Sequence, residues 1–356
     1  MKTEVIRVLS LDNAEADAQL SRAASVIREG GLVVMPTETV YGLGGDATNA
    51  EAASRIFSAK GRPSDNPLII HISSPEDAEK YAYTDELYYK LARRFMPGPL
   101  TVIMRSRDII PVQTRGGLDT VAVRCPEHPV ARRLIELAGV AIAAPSANLS
   151  GSPSPTTASH VVDDMMGRVN MIIDGGDCDF GLESTIVKIN GDGGLTLLRP
   201  GRITVEQLSE IAPVTVADAV VSKLREGERA LSPGMKYRHY APHSEVVLLD
   251  GDADSVLEYV KGLGTDGVAV LCYDDDAECF ERELSGADIY RFGARENEEE
   301  QAHQLFSILR EMDKRDYRTI FAPLPEKTGI GLALYNRMIR AAAHKIIKLK
   351  TVGDNG

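Results

Sequence analysis

Two cations bracket a glycine in the stretch KGRPSDNP, Lys60 and Arg62. Further along, TVAVRCPEHP ends an apolar run on Arg124, LLRPGR ends one on Arg199, and VAIAAPSANLSG ends one on Ser146 and Asn148. LIIHI carries His71 inside an apolar run, and DGGDCDFGLESTIV sets Ser184 and Thr185 at the opening of another. MPTETVYGLG places Thr37, Glu38, Thr39 and Tyr41 directly after a buried-strand pattern, with Gly42, Gly44 and Gly45 behind them. A guanidinium can grip a carboxylate or phosphate through two hydrogen bonds, and an ammonium meets one as a point charge. Hydroxyl and amide side chains beside proline and glycine supply neutral hydrogen bonds where the backbone turns sharply and a ligand can come close. Together these groups describe a pocket for a polyanion and a small polar molecule, and a nucleotide is the natural polyanion.

Each group also has a plainer reading. Lys60 and Arg62 could be a solvated helix end that complements the dipole. His71 could be a satisfied core histidine, and APSANLSG a turn made of turn-formers. His239 and His243 have helical metal-pair spacing, but Pro242 between them breaks a helix. No G-x-x-x-x-G-K-[ST] loop, no G-x-S-x-G elbow and no His, Cys and acid cluster at metal spacing occurs. A nucleotide site would therefore have to be built from strand-end loops.

The elements that must position these residues follow from hydrophobic period. Through about residue 210, strands at LVVM, PLIIHI, LTVIM, TVAVRC, VAIAA, NMIID, STIVKI and LTLLR alternate with helices such as EADAQLSRAASVIREGG and HPVARRLIELAG. STIVKI and LTLLR, joined by NGDGG, form a hairpin, so the sheet is mixed. Open α/β sheets bind ligands at the carboxyl ends of their strands, where most of the polar clusters fall. Residues 213–245 lose the period and read as a linker, unusual in carrying Lys236, Tyr237, Arg238, His239 and Tyr240. From 246 a strand–helix alternation resumes at VVLLD, GVAVLCYD, DIYRFG and RTIFAP, with helices at ADSVLEYVKGLG, EEEQAHQLFSILREMDKRD and GLALYNRMIRAAAHKII, the pattern of an open parallel sheet. It lacks the G-x-G-x-x-G dinucleotide fingerprint.

At 356 residues the chain is long enough for two cores. A net charge of −12 provides no overall field toward nucleic acid. The acidic N-terminal stretch does not resemble a signal peptide, no run approaches the ~20 apolar residues of a membrane span, and the four cysteines form no CxxC pair. These features lead to the expectation of a cytoplasmic protein with reduced thiols and no membrane contact.

PTETVYGLG, KGRPSDNPL, PGPLT, AVRCPEHP, APSANLSG and LESTIV resemble the motifs of the YrdC-type L-threonylcarbamoyladenylate synthases, and SPGMKYRHYAP resembles the junction of their longer, two-domain form. The resemblance implies an α/β fold: a YrdC-like catalytic domain over 1–212 with a twisted mixed or parallel sheet flanked by helices around a concave pocket, a linker or lid over 213–245, and a smaller Rossmann-like domain over 246–351. It implies a nucleotidyltransferase that converts L-threonine, bicarbonate or CO2, and ATP into threonylcarbamoyl-AMP and pyrophosphate, for modification of adenosine 37 of tRNA. Lys60 and Arg62 would act at the phosphates as catalytic groups. Thr37, His71, Arg124, Ala144 and Ser184 would bind threonine, with Arg124 toward its carboxylate. Lys60, Ser64, Thr120, Ser146, Asn148, Ser154, Arg199 and Tyr237 would contact ATP. Mg2+ would be held through ATP phosphates with no protein-built metal site, and KYRHYAP would close over the pocket. The product would pass to a tRNA threonylcarbamoyl-transfer complex, with direct tRNA contact left open. The competing readings are an RNA-binding module without chemistry, a carbamoyl transferase for hydrogenase maturation, and a nucleotide sensor.

Overall fold

The computed structural model describes residues 1–222, 232, 240 and 242–350. Two compact units are present: one comprises 1–150 with 154–237, the other 151–153 with 238–356.

The first unit contains strands β1 (Glu4–Arg7), β2 (Val33–Met35), β3 (Gly42–Asp46), β4 (Ile69–His71), β5 (Leu100–Arg105), β6 (Thr120–Arg124), β7 (Ile142–Ala143), β8 (Met171–Asp174), β9 (Thr185–Ile189), β10 (Leu195–Arg199) and β11 (Val214–Val216). They form one sheet in the order β1-β8-β2-β3-β7-β4-β6-β5-β9-β10-β11. Pairing is mixed: β4 and β6 run parallel, β5 and β6 antiparallel, and β9 and β10 form the expected hairpin.

Two glycine-rich features differ from the sequence expectation. Gly42–Asp46, read as a sharp turn, is an inner strand paired antiparallel with β2 and β7. Its glycines serve packing on both faces. A Cβ on Gly44 would lie 2.8 Å from Ile142 Cγ2, and one on Gly45 would press on Leu32 and Ile56. The opening of the expected linker also holds structure. β11 pairs parallel with β10, and Ala219 and Val220 behind it are buried. The remainder of the expected lid, Tyr237 included, lies largely outside the described residues.

Helices fix the strand ends. Helix Ala14–Arg28 starts at Asn13, whose side chain accepts from Ala16 N–H, and its Leu20, Ala24 and Ile27 pack on Leu134, Ile135 and Ala138 of helix Pro129–Ala138. Helix Ala50–Lys60 starts at Asn49, whose side chain caps two N–H groups, and stops at Gly61 with φ 64°. That left-handed cap sets Lys60 on the last turn and turns the chain into the Arg62 loop.

The second unit has five parallel strands, β12 (Glu245–Asp250), β13 (Val268–Cys272), β14 (Asp288–Arg291), β15 (Thr319–Pro323) and β16 (Ile346–Lys348), ordered β14-β13-β15-β12-β16. β16 and helix Asp274–Glu283 carry no sequence signal recognised above. The helix expected to run through Ile347 ends at Ala341, where Ala343 and His344 take positive φ and the chain turns into β16. Among the described residues, no helix is long and apolar enough to cross a membrane.

Candidate active site

Sheet register assembles the site. Ile69, Ala122, Ile103 and Ile186 share one apolar cluster on β4, β6, β5 and β9. Residues two positions along a strand point to the same face, and that step leads from this cluster to His71, Arg124, Thr101 and Ser184. His71 is opposite Arg124, Arg124 opposite Thr101, and Arg199 lies one pairing beyond, opposite Ile186. The row thus uses the carboxyl ends of β4, β6 and β10 but the amino ends of β5 and β9. A mixed sheet alternates the two.

Hydrogen bonds tie the row together. Arg199 donates from Nε to Ser184 O and from Nη2 to Ser184 Oγ, each at 3.0 Å, and Ser184 Oγ meets Thr101 Oγ1 at 2.8 Å. All three residues are buried. His71 Nδ1 lies 3.3 Å from Ile142 O. Burial, followed by the positive charge of Arg124, lowers the His71 pKa from 6.5 to about 3, so the imidazole is neutral at neutral pH. His71 is thus buried and neutral, as the core-histidine reading has it.

Arg124 carries a partner that sequence reasoning missed. Its Nη2 donates to Glu38 Oε1 at 2.7 Å, with both side chains about one-twentieth exposed, and Glu38 Oε2 accepts from Glu127 N–H. The Arg124 Nε is buried with no hydrogen-bond partner among the described residues. β2 and β6 are four strands apart in the sheet, about 19 Å on a flat sheet. The Glu38–Arg124 contact therefore carries the loop after β2 across β3, β7 and β4 toward the end of β6. Thr37 shapes this loop: its Oγ1 donates to Val40 O at 2.6 Å and accepts the N–H groups of Thr39 and Val40. Tyr41 Oη ties the loop down by donating to Gly176 O and accepting from Gly175 N–H.

A second group forms around the Ala144–Asn148 loop. Lys60 is not a solvated helix end: it is 3% exposed. Its Nζ donates to Ser146 O, to Asn148 O at 2.5 Å and to Asn148 Oδ1 at 3.3 Å. Ser146 Oγ donates to Asn148 Oδ1, and Ser146 bridges to Gly42 on β3. Ala144 is buried, with its N–H on Ile69 O. Arg62 Nη2 donates to Pro67 O at 3.1 Å.

The remaining expected residues are spread more widely. Thr120 opens β6 and Arg124 ends it, a separation of ~13 Å along the strand. Ser64 is exposed, and Ser154 is fully buried with its Oγ donating to Glu183 Oε1 at 2.5 Å. Tyr237 falls outside the described residues. Glu38, Thr101 and Glu183 all lie within stretches that look like family motifs; the available signal was that buried arginines and hydroxyls need buried partners.

Residues 25–201 match the Sua5–YciO–YrdC family model, described as "Telomere recombination". Residues 203–343 match the model described as "Threonylcarbamoyl-AMP synthase, C-terminal domain". The chain is 44% identical to the threonylcarbamoyl-AMP synthase of Pyrococcus abyssi over 92% of its own length and 95% of the relative's. The chain belongs to the threonylcarbamoyl-AMP synthase family. The Bacillus subtilis synthase is 40% identical over 93% of this chain and 95% of its own. A solved structure of P. abyssi Sua5 complexed with L-threonine matches with a TM-score of 0.85 at 41% identity, covering 98% of this chain and all of that one. The synthase likeness thus extends through the second unit.

Proposed function

We propose that the chain is an L-threonylcarbamoyladenylate synthase, a nucleotidyltransferase that joins L-threonine, bicarbonate or CO2, and ATP into threonylcarbamoyl-AMP with release of pyrophosphate. The observation that carries this reading is the 44% identity to a synthase of that name along nearly the whole of both chains. The product would serve threonylcarbamoyl modification of tRNA adenosine 37 through a separate transfer complex.

In this reading the substrates supply both nucleophiles. Bicarbonate, on taking up a proton, loses water to give CO2. The neutral threonine amine attacks its carbon, one C–O π bond opens to a carboxylate oxygen, and an N–H proton passes to solvent, leaving an N-carboxylate. A carboxylate oxygen then attacks the α-phosphorus of ATP as the bond from that phosphorus to the bridging oxygen breaks, and pyrophosphate leaves. The protein contributes orientation and charge, effects worth several kcal/mol each. Arg124, with Nε unpartnered, would receive the threonine carboxylate, while Glu38 holds the guanidinium in place. Neutral His71, buried Ser184 and the loop shaped by Thr37 would offer uncharged hydrogen bonds around the amino acid. Lys60, by tying Ser146 and Asn148 together, would fix the loop facing the nucleotide, with Arg62 and Arg199 adding positive charge toward the phosphates. Mg2+ would enter with ATP, since this ion commonly keeps its waters and binds through substrate phosphates. No step is assigned to a protein-held metal.

The test is pyrophosphate release from ATP and Mg2+ by the full chain, with threonine and bicarbonate each added or withheld. Release that requires both supports the proposal. Release indifferent to threonine, from a folded sample, overturns it.

A further inference from the structure

The second unit holds a cavity of about 720 Å3, lined among the described residues by its own side chains, within the ~300–1,000 Å3 of ligand clefts. It opens beyond the carboxyl ends of β12, β15 and β13, through Asp250, Pro323 and Cys272. The right-handed crossover rule puts the helices that follow β12 and β13 on one face and those that follow β14 and β15 on the other. The cavity therefore sits where the winding reverses, the position at which open parallel sheets take ligands.

Four helices begin at its rim, at Ala253, Asp274, Glu298 and Gly331. Helix N-termini ordinarily draw anions. Here the chain fills them itself. Asp252 accepts from Ser255 N–H, Asn297 caps Glu300 N–H, and Glu298 Oε2 accepts from Gly331 N–H at 2.9 Å. Helix Asp274–Glu283 carries three aspartates in its first turn. Among the described residues the lining has seven carboxylates and one cation, Arg295. Arg295 is committed: it pairs with Asp276 at 2.6 Å and stacks over the Tyr273 ring at 4.3 Å. After these assignments Asp250, Glu296 and Glu326 still make no side-chain hydrogen bond or salt bridge among the described residues. Below them the lining includes Val256, Leu324 and Ile330, apolar side chains that are only partly buried.

We propose that this cavity binds a small organic cation with an aliphatic body, of the alkylamine or alkylguanidine class, and excludes phosphates and nucleotides. The apolar wall takes the hydrocarbon, and the three unpartnered carboxylates take the charged end. None of its lining residues carries a role in the synthase reaction proposed above.

The test uses the full chain with agmatine as cation and hexanoate as an aliphatic anion of similar length, followed by calorimetry and melting midpoint. Agmatine should bind at one site per chain, raise the midpoint and weaken as salt rises, while hexanoate should do neither. Asp250→Asn combined with Glu326→Gln alters partly or fully exposed side chains, so folding should persist and agmatine affinity should fall about tenfold. Absence of agmatine binding at millimolar concentration, equal binding of hexanoate, or undiminished binding by the double variant would each overturn the proposal. Pyrophosphate release, followed in parallel, should be unaltered in that variant.

Discussion

Arg124→Met separates what the buried ion pair does for the fold from what it does for the substrate. The substitution keeps much of the side-chain volume but leaves Glu38 buried with, among the described residues, only the Glu127 N–H as partner. With charge centres ~4 Å apart and an effective dielectric of ~20, the lost attraction is about 4 kcal/mol. Removal of one partner of a buried pair ordinarily costs ~3–5 kcal/mol. At ~2–4 °C per kcal/mol for a unit of this size, the melting transition of the first unit should fall by about 10 °C. Adding Glu38→Gln removes the stranded charge, and the double variant should recover most of the loss. Its threonine-dependent turnover should not recover, because the guanidinium assigned to the substrate carboxylate is still missing. Scanning calorimetry and pyrophosphate release at several threonine concentrations read the two effects separately. A double variant no more stable than Arg124→Met, or one with restored threonine turnover, would refute this reasoning.

Lys60→Met should both loosen the Ser146–Asn148 loop and raise the KM for ATP. Loss of charge-assisted hydrogen bonds to three acceptors should cost about 2–3 kcal/mol in urea unfolding, and unchanged stability would remove Lys60 from its place as loop organiser. His71 imposes a pH dependence. Its folded pKa is depressed, so below 6.5 the unfolded chain binds a proton that the native state does not, and stability falls as pH drops toward 3. With those two values the loss at pH 5 is about 2 kcal/mol. His71→Gln should lose correspondingly less between pH 7 and pH 5 in the same urea titration, and an identical loss would contradict the assignment. Gly44→Ala places a Cβ 2.8 Å from Ile142 Cγ2 and 3.0 Å from Val33 O, so it should destabilise the first unit by ~1–3 kcal/mol. A neutral effect in thermal melts would count against that packing.

The sequence made the site's chemical types legible because cations and hydroxyls recur at strand ends, where the period of 2 stops. It could not convey which of them share a row. His71, Arg124 and Thr101 are brought side by side by pairing between β4, β6 and β5, and register is a long-range property. Gly42–Asp46 was misread because glycines leave no apolar alternation, although this strand is inner and its neighbours demand the missing side chains. Helix Asp274–Glu283 was hidden by its composition: only Ala277 and Phe280 are buried along it, too few for a visible stripe. β16 is three residues long, and a helix pattern ran into it. In the second unit, strand order placed the cavity, and no motif in the sequence marked it.

The most direct measurement of the central claim is a single-turnover reaction with 13C-bicarbonate, L-threonine, ATP and Mg2+, with products identified by mass. The account predicts threonylcarbamoyl-AMP that carries the label, formed together with pyrophosphate. ATP bound by a well-folded chain but no labelled adduct formed would contradict it.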